Sequence, residues 1–499
     1  MSIDTPPFKE RAANETSVVV PALIRGQLIE TDLVEFGGRQ GGGFSTPNPA
    51  AVADRLPLRD PGALADVHAL SFADIQNFLA ELGERLRLSE NRYLQDALKY
   101  SAAWSDLTPP LVRSSFEQLP GLFAPQVVRE IADRSVPVEY LDGWVEHRLT
   151  DGRVASIRAM GARAVHIIAG NSPLIAAFTI VRNAVTRSDA IIKTPSNDPL
   201  TALAIGRTMV DFAPEHPITR HLSIGYWRGG DTEIEQRLYR PAHIEKIIAW
   251  GGLASVRHVV RYIRPGLELV TLDPKRSATI VGPAAFASEE TLRDVARRAA
   301  TDVGALNQVG CVNARVIYVA TGIEPAGLER ANAFGAALYE EMQRLPESLS
   351  TKPRTFDAEL RANIDALRAA PDWYQIFGGA EDEGAVIVSQ LDEAVEFHRA
   401  LACRVANVVP VSSPEDVLPR INAYTQTVGV YPEELKLQLR DKLALYGGQR
   451  LISLGYAAHA NYSLPQDGIE PVRRMVRWIV DERCDPAEIP PLWDSRPGG

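Results

Sequence analysis

Short apolar runs constrain this fold more than any other feature: AVHIIA at 164–169, DAIIK at 189–193, IEKIIA at 244–249 and SATIV at 277–281. Each is short enough for a buried strand. Helical stretches at 175–187, 198–212 and 252–262 lie between them. Near-continuous apolar strands alternating with helices imply a parallel sheet covered on both faces. Such a sheet offers ligands the crevice outside the carboxyl ends of its strands. A second α/β stretch begins near 286: Ser288, Glu289 and Glu290 open a helix through Leu292, Val295 and Ala299, and the strand Arg315–Ala320 follows. The chain therefore reads as α/β, two parallel-sheet domains in series with a boundary near 276–286. At 499 residues it is too long for one ordinary core.

The regions before 164 read differently. Residues 37–49, GGRQGGGFSTPNP, look like a Gly/Pro-rich loop with too little apolar content to pack. Residues 71–135 carry apolar positions at helical spacing, such as Ile75, Phe78, Leu79 and Leu82, with Ser71 before Asp74 as an N-cap arrangement. Residues 144–159 alternate around Asp151-Gly152, the signature of a hairpin. A two-stranded arm of this kind either reaches a partner subunit or lies on its own domain.

Composition excludes several classes. Lys and Arg number 53 against 63 Asp and Glu, a net charge of −10, which gives no general attraction for nucleic acid. The three cysteines, Cys311, Cys403 and Cys484, are isolated, which argues against disulfides and a cysteine zinc site and suits a reducing cytoplasm. The nine histidines show no ligand spacing, so no metal is expected. The N-terminus mixes both charge signs and lacks the apolar core of a signal peptide. The longest apolar window, 164–185, is broken by Gly170, Asn171, Ser172 and Pro173, so no membrane insertion is expected.

The dinucleotide fingerprint GxGxxG is absent, so a nucleotide would not use the usual pyrophosphate turn. Other constellations carry the chemistry. Cys311, in GALNQVGCVNARVIYV, sits in a turn that can present its sulfur at a domain cleft, although a lone Cys is more commonly a small buried hydrophobe. Asn171, in IIAGNSP, stands at a strand's carboxyl end, where its amide could reach a developing oxyanion or simply cap a helix. Lys193, Thr194, Pro195 and Ser196 follow the next strand, where a Lys can reach ribose or phosphate. Trp250, Gly251 and Gly252 form a βα turn whose glycines allow close approach of an anion to the helix N-terminus.

In order and spacing, IIAGNSP, IIKTPSNDPLTAL, the Gly turn, TLDPKRSATIV and NQVGC resemble the aldehyde dehydrogenase superfamily. That resemblance implies an aldehyde dehydrogenase-like fold with a β-hairpin oligomerisation arm at about 144–159. It makes Cys311 the nucleophile, Asn171 an oxyanion donor, and Lys193 through Ser196 with Trp250, Gly251 and Gly252 the cofactor site. It implies residues 1–275 as an N-terminal helical region plus nucleotide-binding domain, 276–460 as the catalytic domain and 461–499 as a C-terminal helix and tail. QTVGVYPEE, the DGI(x)P segment and a helix at MVRW are similar to the LuxC-type acyl-CoA reductases, the fatty-acid reductase branch.

Two departures bear on the reaction. Hydrolytic members carry Glu at the start of ELGGK, where it activates the deacylating water; Thr271 stands there in TLDPK. Losing that base cripples water attack but not transfer from a thiol. Ser196 replaces the acidic residue of NAD-preferring members, which admits NADPH/NADP. The implied reaction is NADPH-dependent reduction of a long-chain acyl thioester, acyl-CoA or another acyl donor, to the aldehyde through acyl-Cys311. The implied partners are an acyl-protein synthetase and further copies of the chain. The alternatives are a hydrolytic aldehyde dehydrogenase, an acyl-phosphate reductase, and a catalytically silent scaffold subunit.

Overall fold

The strands at the apolar runs are buried almost throughout, and two seven-stranded sheets result. The computed structural model describes residues 18–38, 42–459, 461–487, 489, 491 and 493. The first sheet runs in the order Glu268–Leu272, Lys246–Trp250, Arg163–Ile167, Asp189–Lys193, Leu222–Gly225, Ala22–Ile24, Gln27–Ile29. Its first five strands are parallel and the last two are antiparallel additions. After the edge strands Ala22–Ile24 and Gln27–Ile29, the parallel part begins at Arg163–Ile167, winds outward through Asp189–Lys193 and Leu222–Gly225, then returns to the other side at Lys246–Trp250. The winding direction therefore reverses between Arg163–Ile167 and Lys246–Trp250, and a crevice opens at their carboxyl ends. The helix Leu174–Val185 is buried from Ile175 to its end, which explains why 164–185 is so apolar without spanning a membrane. Among the described residues no helix is long and apolar enough to cross one.

The second sheet has the order Tyr374–Gly378, Ala385–Ser389, Val405–Pro410, Ala314–Val319, Arg276–Val281, Thr425–Tyr431, Arg450–Ser453. All neighbours are parallel except the first pair. The helix Glu289–Gly304 starts on Ser288, whose hydroxyl accepts from the Thr291 N–H. Two parallel-sheet α/β units of this kind are the expected fold class.

The helices Phe72–Arg85, Arg92–Trp104, Pro109–Leu122 and Pro125–Ser135 pack against Leu174–Val185 and Thr201–Phe212 as an outer layer and share one large core cluster with the first sheet. Ser71 and Asp74 form a reciprocal capping box at the first of them.

Glycine content misleads at 37–49. Leu33–Gly37 and Gly43–Pro47 pair as antiparallel strands, and residues 39–41 of the expected loop lie outside the described residues. Phe44 is the physical reason. It is fully buried, edge-on to Tyr226 at 4.9 Å and to Trp104 at 5.7 Å, so one aromatic anchors the segment.

Val145–Arg148 and Val154–Met160 pair antiparallel around Gly152, whose φ of +92° is easily reached only by glycine. The expected helix at MVRW is corrected: the helix is only Pro471–Met475, and Arg477–Arg483 is a strand paired along Val154–Met160. The hairpin's open edge offers backbone donors and acceptors, and RWIVDER, rich in β-formers, takes them up.

Candidate active site

The crevice at the switch point continues into a cleft of about 760 Å³ between the two sheets. Asn171, Lys193, Pro195, Ser196, Trp250, Gly251, Gly252 and Cys311 all line it. These residues come from four separate stretches of sequence, and the fold brings them to one place. Thr194 stands apart: it is buried, with both its N–H and its hydroxyl donating to the Gly225 carbonyl, so it ties neighbouring strand ends together.

The cysteine loop is held by a strained and heavily bonded scaffold. Leu306, Asn307 and Gln308 are consecutive left-handed residues, with φ of 50°, 53° and 64°. Such backbone persists only where its surroundings impose it. Here the buried Gln308 amide donates to the Ala314 and Val405 carbonyls, both at 2.9 Å, and accepts from the Val405 N–H at 3.0 Å. Asn307 accepts from the Thr351 N–H at 2.8 Å. Asn313 accepts from the Gly310 N–H at 2.9 Å and donates to the Asp302 and Ala305 carbonyls. Ser277 donates to the Cys311 carbonyl at 2.7 Å. Together these bonds fix the loop on both sides of the sulfur.

Cys311 is half-buried. Its sulfur accepts from Gln426 Nε2 at 3.1 Å, and the same Nε2 donates to Asp467 Oδ1. Burial pushes the thiol above its ordinary value, and the neighbouring Asp467 carboxylate adds to that. Gln426, the Arg315 guanidinium and its own backbone N–H pull it back down. Burial likewise pushes the Asp467 carboxyl up, while Gln426 and the cation Lys275 oppose the rise. Neither Gln426 nor Asp467 was singled out from sequence. Gln426 hides in the apolar strand QTVGVY, and its contact with the sulfur spans 115 residues.

Asn171 is fixed by its loop. Its Nδ2 donates to the Val309 carbonyl at 3.2 Å, which leaves the second amide hydrogen for the cleft. Its Oδ1 is buried with no hydrogen-bond partner among the described residues. Gly170 precedes it because a Cβ there would stand 2.0 Å from Asn197 Oδ1, and Asn197 donates to the Gly170 carbonyl at 3.1 Å.

Lys193 ends its strand buried, with its ammonium 5.8 and 5.7 Å from the Tyr226 and Trp227 rings. Burial pulls its pKa down to about 8, and the Glu235 carboxylate opposes the fall. The helix Leu253–Val260 begins on Gly252 with no side-chain cap, and a Cβ added to Gly252 would meet nothing. An uncapped helix start, open space in front of it and a cation across the cleft suit a phosphate-bearing ligand.

Thr271 lies within the strand Glu268–Leu272, and the carboxylate lining the cleft just after it is Asp273. Cys403 and Cys484 lie outside this cleft. Among the described residues no group of acidic, His or Cys side chains could hold a metal ion.

The family model described as Acyl-CoA reductase (LuxC) matches residues 67–478, most of the chain. The chain belongs to the acyl-CoA reductase (LuxC) family. It is accordingly an acyl reductase, an oxidoreductase built on the aldehyde dehydrogenase fold. Curated relatives include the long-chain acyl-protein thioester reductases of Photorhabdus laumondii, 28% identical over 427 residues, and of Aliivibrio fischeri, 27% identical over 421 residues. Each alignment covers 83% of this chain and 83% of the relative. Among solved structures, the NADP-dependent glyceraldehyde-3-phosphate dehydrogenase of Bacillus halodurans superposes with a TM-score of 0.71 at 14% identity, covering 93% of this chain and 99% of that one. Lactaldehyde dehydrogenase from Escherichia coli gives 0.69 at 14% identity, with coverage of 93% and 99%. These likenesses extend the aldehyde dehydrogenase fold over the LuxC-family chain.

Proposed function

We propose that this LuxC-family protein reduces a long-chain acyl thioester to the aldehyde, with NADPH as reductant and Cys311 as the acyl carrier. The observation that supports it most is the convergence of the Cys311 sulfur, the Asn171 amide and the Gly251-Gly252 turn on one cleft. The names of the relatives point to an acyl-protein as donor, and acyl-CoA offers the same thioester.

As a thiolate, Cys311 attacks the thioester carbon, and the carbonyl electron pair moves onto oxygen. The free Asn171 N–H and the Cys311 backbone N–H meet that oxyanion. As the oxyanion collapses, the bond to the donor's sulfur breaks and the donor thiolate takes up a proton. This leaves acyl-Cys311. The cofactor, when bound, supplies a hydride to the acyl carbon. Asn171 again holds the resulting oxyanion, whose collapse frees the aldehyde and returns the Cys311 thiolate. Lys193 and the uncapped start of Leu253–Val260 hold ribose and phosphate, and Ser196 brings no carboxylate against a 2′-phosphate. An acyl-protein synthetase is the proposed donor partner, and the three-stranded sheet around the hairpin is the proposed assembly surface.

The test is incubation with NADPH and acyl-CoAs of increasing length, following both absorbance loss and products. Aldehyde formation that disappears in Cys311→Ala supports the reading, and turnover retained in that variant overturns it. A hydrolytic aldehyde dehydrogenase is the second reading, because Asp273 could serve as base in place of the missing Glu. Conversion of aldehyde to free acid with NADP and no thiol acceptor would establish it instead.

A further inference from the structure

A second cavity, of about 770 Å³, adjoins the cysteine cleft on the catalytic-domain side and shares Asp273, Pro274, Arg276 and Arg315 with it. Its wall carries four arginines from four different elements. Arg276 begins the strand Arg276–Val281, and Arg315 lies near the start of Ala314–Val319. Arg399 sits in the short turn Glu396–Ala400, and Arg420 ends Pro414–Arg420. His398 completes the basic set.

These charges are poorly neutralised. Arg315 spends its donors on the Leu401 carbonyl at 2.9 Å, the Asn313 carbonyl at 3.0 Å and two weaker carbonyl contacts, none of them a carboxylate. Arg276 and Arg399 make no side-chain hydrogen bond or ion pair among the described residues. Arg420 lies 5.4 Å from the Tyr318 ring, and its carboxylate neighbour Asp392 is 3.7 Å away and more than half exposed. The one carboxylate on the wall is Asp273. Burial pulls Arg315 down to about 10, and Arg276 adds to that fall. Arg276 is itself pulled down by burial and then by Arg399. Arg276 and Arg399 are exposed and Arg315 and Arg420 half-buried, so this group of like charges faces solvent with only Asp273 on the same wall, an arrangement that attracts an anion.

The geometry points to this cavity as a phosphate-binding site for one of the two reactants, with Arg276, Arg399 and Arg420 as its ligands. Guanidinium groups present paired N–H donors that match phosphate oxygens, and several converging at once select a multiply charged group over a single carboxylate. Because the cavity shares Asp273, Pro274, Arg276 and Arg315 with the cysteine cleft, a phosphate anchored there would belong to a molecule whose other end reaches the sulfur. Two sources share this chemistry: a thioester donor built on coenzyme A or a phosphopantetheine carrier, which leaves the dinucleotide at Lys193 and Gly252 as proposed above, and the dinucleotide itself, whose phosphates would then lie here instead. The site rests on the proposed reaction for its ligand class, but binding alone can test it.

The experiment compares wild type with Arg399→Gln, Arg420→Gln and the double variant by calorimetric titration of coenzyme A and, separately, of NADP, at low and high salt. The double variant is expected to bind one of these about tenfold more weakly at low salt, with the difference shrinking at high salt. Weakened coenzyme A binding assigns the site to the donor, and weakened NADP binding assigns it to the cofactor. In turnover, the first case raises KM for acyl-CoA and leaves a phosphate-free S-acyl-N-acetylcysteamine donor unaffected. The second raises KM for NADPH with either donor. If the folded double variant binds both ligands within twofold of wild type, the site is overturned. Failure of the proposed reaction would show differently, as normal phosphate-dependent binding without aldehyde from any donor.

Discussion

The Cys311 thiol is held between two groups that act on it in opposite directions, and removing each should move its titration the opposite way. Gln426→Leu removes an N–H donor at 3.1 Å from the sulfur. A hydrogen bond to a charged group contributes about 1.5–3 kcal/mol. At about 1.4 kcal/mol per unit, that raises the thiol pKa by about 1–2 units. Asp467→Asn keeps an acceptor for Gln426 and removes a negative charge one amide away from the sulfur. At an effective dielectric near 20 and a separation of about 5–6 Å, that charge contributes about 3 kcal/mol, a ceiling of about 2 units downward. The buried Arg182 and the nearby Lys275, which already offset Asp467, reduce it. The assay is the rate of alkylation by iodoacetamide between pH 6 and 11, with Cys403 and Cys484 replaced by Ser. At pH 7.5 Gln426→Leu should react about 10–100-fold more slowly and Asp467→Asn faster, with the differences shrinking toward pH 11 as the thiols ionise. A Gln426→Leu thiol that titrates as in wild type, or an Asp467→Asn thiol that titrates higher, would refute this electrostatic picture.

Other consequences are equally concrete. Asn171→Ala should lower kcat for aldehyde formation by about two to three powers of ten, as for loss of one oxyanion donor, and a change below fivefold would remove Asn171 from that role. Gly170→Ala forces a Cβ to 2.0 Å from Asn197 Oδ1, so it should displace the Asn171 loop and lower kcat with modest loss of thermal stability, read by parallel kinetics and melting. Because the resting thiol lies above its ordinary value, kcat/KM for the thioester should keep rising with pH through 7–9, as stopped-flow acylation would record. His166 is fully buried, and burial, with Arg182 beside it, pulls its pKa down to about 3. Its neutral form therefore stabilises the fold above the ordinary histidine value. That contribution, on the order of a few kcal/mol, is lost as the pH falls from about 6.5 toward 3. His166→Leu should flatten the acid side of the melting curve.

Much of this architecture was legible because buried parallel strands announce themselves. Asp189–Lys193 falls where its run predicts it, and Arg163–Ile167, Lys246–Trp250 and Arg276–Val281 lie within two residues of theirs. Leu222–Gly225 escaped notice because four residues, LSIG, are too few to show a period. Arg477–Arg483 escaped because it lies on the surface of a three-stranded sheet, so no buried face imposes alternation. The site residues were legible where a strand end carried them, as with Asn171 and Lys193. Gln426 and Asp467 were not, because their meaning lies in contacts across 115 and 41 residues. Asp467 has a φ of +55° beside Gly468, in a turn that the DGI(x)P segment marks without naming a partner.

The return of the chain to the hairpin has a mechanical corollary. Because Arg477–Arg483 closes on Val154–Met160, the whole second sheet is inserted between two parts of the chain that build the first sheet and the hairpin. Only two covalent spans suspend it, one at 273–275 and the other across 454–476. The first carries Asp273 and Lys275, and the second carries Asp467, so both suspension points run beside the Cys311 sulfur. A swing of one half against the other would therefore have to pivot next to Cys311, beside Asp273, Lys275 and Asp467, whose charges surround its sulfur.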